Sequence, residues 1–292
     1  MADIKLQNMN AKDAGIKAGT IKYIERPYIY NFVVNVPGSG TIYTAGTPSV
    51  PYILNIAPYD FEWVKSMFTA DNGTRLARVS IQRSTDQRYL TGSAPGQAQT
   101  SKGYRDNFIP LKTWAGSGKF PKINNPSLVL PFNTNLTFTF QDESGASSAY
   151  NIYMALSGIN RVPVTGSQYV IQGPWKATMK LPTTSQRLTI NANQTYPFSI
   201  QATGGDYVIT ALMIDAQGAC LVSISYNSIP VTSGYIHSGN IDGEPNVNGT
   251  VPNILPAQME VPNLGNIDIV ISDISGATNN VDLTLDGFVL LK

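Results

Sequence analysis

Seventeen residues of this chain come back 131 positions later: Leu130 to Ala146 reads LPFNTNLTFTFQDESGA and Val261 to Ala277 reads VPNLGNIDIVISDISGA. Without a gap, six of the seventeen positions are identical, where chance gives about one. Between the fixed residues both copies alternate large apolar and polar side chains, Leu136, Phe138 and Phe140 in the first, Ile267, Ile269 and Ile271 in the second. That is the period of a half-buried strand. Each strand then meets Asp142 before Ser144-Gly145, or Asp273 before Ser275-Gly276. An Asp carboxylate bonding the backbone ahead of it and a permissive glycine turn the chain there. A second strand follows each time, with Ile152 to Leu156 or Val281 to Leu285, and then comes Gly158 or Gly287.

The correspondence extends upstream. Asp60 to Ala70 aligns without a gap on Asp206 to Ala216, with Met67 on Met213, and Val79-Ser80-Ile81 falls on Val222-Ser223-Ile224. Each unit reads as strand, turn, strand, long connection, Pro-led strand, Ser-Gly turn and last strand, the size of one domain. Charged residues make up only 13% of the 292 residues, and many apolar residues are β-branched or aromatic, which places the chain in the all-β class. No apolar run is long enough to span a membrane and the first residues lack a signal-peptide core, so synthesis as a soluble cytoplasmic protein is expected. The single cysteine, Cys220, sits in an apolar run as a small buried hydrophobe, and no disulfide framework exists.

Residues 1–22 carry a weak helical stripe interrupted by Gly15 and Gly19, and read as an extended arm that orders on a neighbouring subunit, a frayed terminus being the alternative. Residues 161–187 read as a connector with one strand of its own. The pattern-poor stretch 84–127, anchored by Phe108, Leu111, Trp114 and Phe120, is a functional or partner-ordered loop.

Catalytic constellations are nearly absent. With one histidine, His237, and one cysteine, zinc sets and nucleophile triads have little to draw on, and His237 reads as a surface or hydrogen-bonded loop residue. Asp142-Glu143 and Asp242-x-Glu244 read as solvated turn acids rather than a glycosidase pair. Asp242-Gly243-Glu244 with Asn240 and Asn246 lacks the register of a calcium loop. The expectation is therefore a non-enzymatic chain without catalytic, metal or cofactor site. Trp63 is expected in the core, while Trp114 and Trp175, in loops, are the candidates for a sugar-stacking face.

Charge is distributed unevenly. Residues 1–187 hold 19 Lys and Arg against 10 acids, whereas residues 188–291 hold nine acids and no Lys or Arg. Such a dipole favours head-to-tail self-association, with Arg75, Arg78, Arg83 and Arg88 meeting acids such as Asp268 and Asp282 of the next copy. Contact of the basic half, with Lys102 and Arg105, with packaged nucleic acid is the alternative, without sequence-specific recognition.

With its duplicated short strands, LP and VP leading the penultimate strand, D-x-SGA turns, and last strands ending in LSGI and LDGF, the chain resembles bacteriophage virion proteins built from two jelly rolls. In size and plan it is similar to the double jelly-roll major capsid proteins of tailless phages. The resemblance implies two tandem antiparallel β-sandwiches of jelly-roll type from an internal duplication, over 23–160 and 188–292. It further implies a homotrimer that tiles a virion shell with other virion proteins, residues 1–22 contacting neighbours or the inner layer. Neck, collar and spike proteins share such units, and a carbohydrate-binding adhesion module is the competitor from another class.

Overall fold

The computed structural model describes residues 2–38, 49–71, 77–86, 90–91, 108–118, 120–142, 144–145, 147–164, 171–181, 184–241, 244–246, 249–251 and 253–292. After helix α1 (Ala2–Lys17), the first unit runs β1 (Tyr23–Val36), β2 (Ser49–Asn55), β3 (Asp60–Ala70), β4 (Ala77–Arg83), β5 (Ile109–Pro110), the short helix α2 (Leu111–Trp114), β6 (Lys122–Leu130), β7 (Asn135–Asp142) and β8 (Tyr150–Pro163). The second runs β9 (Ala177–Lys180), β10 (Thr184–Ile190), β11 (Thr195–Gln201), β12 (Asp206–Ala216), β13 (Cys220–Tyr226), β14 (Ile229–Pro230), β15 (Ile236–His237), β16 (Glu244–Asn246), β17 (Gly249–Val251), β18 (Asn253–Val261), β19 (Asn266–Asp273) and β20 (Asn279–Leu291).

The chain is all-β, and its strands form sandwiches. In the first unit the order β1-β8-β3-β6 makes one sheet and β2-β7-β4-β5 the other; in the second, β10-β20-β12-β18 and β11-β19-β13-β14 repeat that order strand for strand. This is the winding of a jelly roll, twice. Alternate residues of each strand close the cores: Phe61, Trp63, Val79, Ile81, Phe138 and Phe140 in one, Ile209, Val222, Ile224, Ile269 and Ile271 in the other.

Register carries the correspondence down to single residues. Trp63 and Ile209 each face a glycine of the last strand, Gly158 and Gly287, and each is followed by a shift in register. Across the bulge, the partner strand jumps from Leu128 to Ile123 in β6 and from Met259 to Ile254 in β18. Met67 and Met213 hold equivalent places, opposite Ala155 and Thr284, and Asp142 and Asp273 both end their strands. The edge strands β2 and β11 place Pro51 and Pro197 at the same register, opposite Thr139 and Val270. A proline on an open edge removes a donor that another strand would use.

Two boundaries differ from the sequence reading. The strand inside the expected 161–187 connector, β9, pairs with the end of β20 while β10 pairs with its beginning, so together they make the counterpart of the continuous β1. The second unit thus opens at Ala177 rather than at 188, and β8 extends to Pro163.

Residues 1–22 are not an extended arm. Residues 2–17 are helical, and Gly19, at φ 69°, ends the helix in the left-handed conformation while its amide bonds the Ile16 carbonyl at 3.0 Å. The helix lies on the second unit of its own chain. Met9 is buried with Ile171, Trp175, Val208, Phe288 and Leu290; Asn10 exchanges two hydrogen bonds with the Trp175 backbone, at 2.9 and 3.0 Å; Lys12 pairs with Glu260. The reason lies on the sheet. Where the first unit carries Glu62 and Arg161, ion-paired at 2.6 Å on the outer face, the second carries Val208 and Leu290, both fully buried under this cover. Met9→Asp is expected to detach α1, since an unpaired carboxylate has no partner in that cluster. Limited trypsin digestion should then cut at Lys5, Lys12 or Lys17 of the variant while the parent protein resists.

Candidate functional site

The two Ser-Gly turns are built alike. Asp142 Oδ1 accepts from the Ser144 amide at 3.0 Å, the Ser144 hydroxyl at 2.6 Å and the Tyr150 hydroxyl at 3.1 Å. Asp273 accepts from the Ser275 amide and hydroxyl, the Gly276 and Asn193 amides and the Asn279 side chain. Gly145 and Gly276 turn the chain at φ 72° and 74°. These carboxylates are buried and engaged in fixing turns. Glu143, Asp242 and Gly243 lie outside the described residues, as does the Glu244 side chain. Among the described residues no group of acids, histidines and cysteine is placed to hold a metal ion.

Cys220 is buried and its thiol is pushed up to about 11 by burial. Trp63 is core, as expected. Trp175 is not a stacking platform: it is buried under α1 and its indole N–H donates to Asp206 Oδ2 at 2.8 Å. Trp114 is half-buried, edge-on to Trp63 at 5.2 Å, and lines a groove of about 520 Å³ with Lys122, Ile123, Asn124, Asn125 and Pro126.

The charge dipole is smaller in space than in sequence. Folding puts α1 and the connector's basic residues on the acidic unit, so that residues 1–17 and 176–292 together hold seven Lys and Arg against eleven acids, while residues 22–163 hold thirteen against eight. The named assembly residues are largely occupied within the chain. Arg83 pairs with Asp86, Arg187 takes both oxygens of Asp282, the shortest contact at 2.7 Å, and Asp268 accepts from the Ser199 hydroxyl at 2.6 Å. Arg78 lies on β4 opposite Gln141, and Arg75, Arg88, Lys102 and Arg105 fall outside the described residues.

A seam joins the two sandwiches. The outer edge of β1 pairs in parallel with the chain after β14: the Ile29 amide bonds the Val231 carbonyl at 2.8 Å, and Ser233 returns a bond to Ile29 at 2.9 Å. Met67, Ala155 and Ile29 of the first unit join the apolar cluster of the second. At the far end of the seam sits His237, which is buried rather than on a surface loop; its ring packs 4.6 Å from Tyr153, and its Nδ1 accepts the Gly239 amide at 3.0 Å. Asn240, fully buried, bonds Thr69 and the Tyr153 carbonyl of the first unit at 2.9 and 3.1 Å. Sequence reasoning missed the seam because its contacts join residues about 85 to 200 positions apart with no motif to link them.

The seam also distinguishes two equivalent surfaces. In the second unit the β18 bulge, with Pro256 and Ala257 half-buried, faces Tyr23 and Glu25 of β1 and Lys5, Asn8 and Lys12 of α1 across a groove of about 500 Å³. In the first unit the matching β6 bulge is open: Asn125 and Pro126 are exposed, Ile123 is 60% exposed and Val129, the counterpart of Glu260, is 43% exposed. That bulge forms the floor of the Trp114 groove.

No family model and no curated protein matches the chain. Among solved structures it is similar to a peptide-N(4)-(N-acetyl-β-D-glucosaminyl) asparagine amidase, at 9% identity and a TM-score of 0.20, covering 90% of this chain and all of that one. It is also similar to a tandem CBM22 domain from Paenibacillus barcinonensis, at 9% identity and a TM-score of 0.18, covering 92% and 93% of the two chains. A third is the structure of the infectious bursal disease virus Gx strain, at 10% identity and a TM-score of 0.12, covering 93% and 82%. At such TM-scores these likenesses transfer no activity or ligand to this chain. The expectation of a non-enzymatic chain is nonetheless corrected: the first structures matched are those of an amidase, and that expectation is withdrawn. Among the described residues no helix is long and apolar enough to cross a membrane.

Proposed function

We propose that the chain is a structural virion protein of a bacteriophage, a double jelly-roll shell protein that arose by internal duplication and self-assembles through a trimer. The observation that carries the reading is the inequality of the two bulges. One β18 bulge is covered by β1 and α1 of its own chain, while the equivalent β6 bulge presents Ile123, Val129, Asn125 and Pro126 to solvent. A second copy offers the missing cover. Its β9 and β10 together, β12 and β20 are the counterparts of β1, β3 and β8, and on β12 and β20 Met213 and Thr284 stand where Met67 and Ala155 enter the seam. Repeating the contact within chains and between them is a head-to-tail arrangement that closes when the rotation permits, and three chains of two units each give a ring of six near-equivalent sandwiches. The prolines on β2 and β11 support the same reading, because they discourage strand addition at the other open edges.

The alternative of a glycan-binding adhesion module draws on the same groove, where the Trp114 ring and the Asn124 and Asn125 amides would meet a sugar. The test uses Ile123→Glu with Val129→Glu, two charges on an apolar contact. Light scattering on the eluting protein should show the parent as trimers or larger closed species and the double variant as monomer. A parent that stays monomeric at high concentration and binds an oligosaccharide panel, with loss on Trp114→Ala, would replace the shell reading by the adhesion module.

A further inference from the structure

His237 lies where the second sandwich meets the first. The turn that it opens, Ser238–Asn240, is held on one side by its own unit, with the Ser238 hydroxyl accepting the Cys220 amide at 3.2 Å. On the other side it is gripped by the first unit: Asn240 bonds Thr69 and Tyr153, the Gly239 carbonyl accepts the Gly118 amide at 3.1 Å, and the His237 ring rests on Tyr153. A β-carbon on Gly239 would stand 2.8 Å from the Thr69 hydroxyl, and one on Gly118 would stand 2.5 Å from the Gly239 carbonyl, so the fit leaves no slack.

The geometry points to an acid-released clasp: we propose that the His237–Asn240 turn locks the two sandwiches together while the imidazole is neutral and lets them part when it is protonated. Nδ1 accepts the Gly239 amide, so the neutral ring carries its proton on Nε2. A second proton would have to sit on Nδ1, facing another N–H, and two donors cannot share that contact. The groups around the ring decide the balance. From β3 and the residue that follows it come Thr69 and Asp71, from β8 Tyr153 and Asn151, and from its own unit Ser238, Asn240 and Cys220. Among the described residues the carboxylate that acts on the imidazole is Asp71, itself bonded by the Asn151 amide at 3.1 Å. Burial holds the imidazole below its ordinary range, and Asp71 offsets this only in part. A histidine held below its ordinary value stabilises the closed form above that value; the contribution is lost as pH falls from the ordinary value of about 6.5 through the value in the seam.

The test is hydrogen exchange of the full chain near pH 7.5 and near pH 5, corrected for intrinsic rates. The Ile29, Ser233 and Gly118 amides, which bond across the seam, should lose protection several-fold in acid, while Phe138 and Ile269 in the two cores keep theirs. In His237→Asn the side-chain oxygen can accept the amide two residues on without titrating, so the seam should stay protected at both values. Asp71→Asn should deepen the acid loss. Seam protection indifferent to pH, or an equal acid loss in His237→Asn, overturns the proposal. If that variant loosens at both values, the parent decides: it has one histidine, so its ring proton signals are unambiguous, and a titration at or above the ordinary value also overturns the clasp.

Discussion

Alanine at Gly158 is expected to lower stability by about 3 kcal/mol, and alanine at Gly287 by a similar amount. A β-carbon at Gly158 would stand 2.1 Å from the Glu62 carbonyl oxygen and 2.5 Å from the Phe61 ring, and one at Gly287 would stand 2.1 Å from the Val208 carbonyl oxygen. What it meets first is backbone in both sandwiches, and that backbone is pinned. β3 and β12 are central strands, bonded on both sides, with the register shift immediately beyond Trp63 and Ile209. Relief would require moving a carbonyl that already serves the sheet, while Phe61, fully buried, has no free rotamer to retreat into. Urea unfolding should show each midpoint falling with the slope unchanged. Gly234→Ala, where the nearest atom is 3.5 Å away, serves as the control and should shift stability by no more than about 0.5 kcal/mol. A loss below about 1 kcal/mol in Gly158→Ala would mean that the bulge yields, and that its glycine is not what holds the two last strands in common register.

These two glycines show how far the sequence could be read. Gly158 and Gly287 stood out at matching places after Ile152 to Leu156 and Val281 to Leu285, inside what prove to be β8 and β20, and the alternation of Leu136, Phe138 and Phe140 against Ile267, Ile269 and Ile271 correctly placed one strand of each sandwich. Period-two patterns report which face is buried, and that information is local. What lay beyond reach depended on a second layer. Met9 makes α1 dock only because Val208 and Leu290 replace Glu62 and Arg161 on the outer face of the sheet. That exchange is visible when Asp206-Tyr207-Val208 is set against Asp60-Phe61-Glu62, since a strand apolar on both faces needs cover on both. Pro51 and Pro197 carried another unread signal, the pattern V-P-Y-x-L-N against Y-P-F-x-I-Q. The charge dipole misled for a different reason. It counted residues by position along the chain, whereas Lys12 and Arg187 fold onto Glu260 and Asp282 and answer them inside one molecule.

Removing the Asp273 carboxylate should cost roughly 3 kcal/mol, because Asp273→Ala strands several buried donors at once. Its two oxygens accept from the amides of Asn193, Ser275 and Gly276, the Ser275 hydroxyl and the Asn279 side chain, and the residue itself is only 4% exposed. Asn193 precedes the edge strand β11, Ser275 and Gly276 make the turn into β20, and Asn279 also bonds both backbone groups of Gly218 before β13. One carboxylate therefore fixes three loops at one end of the second sandwich. Burial works to raise its pKa, but the bonds from Ser275, Asn193 and Asn279 outweigh burial and hold it below the ordinary carboxylate range. For a carboxyl lowered in the folded state, the contribution is complete above the unfolded value of about 3.9 and is lost as pH falls through the folded value. Asp273→Asn keeps one acceptor and most of the shape, so it should lose part of the stability while removing this acid dependence. Unfolding midpoints measured in urea from neutral pH down to about pH 3 separate the two contributions. The parent should weaken more steeply than Asp273→Asn at the acid end of the series. Parallel curves would show that the carboxylate is held no more firmly in the folded chain than in the unfolded one, and that the Asp-Ser-Gly turn is fixed by its glycine alone.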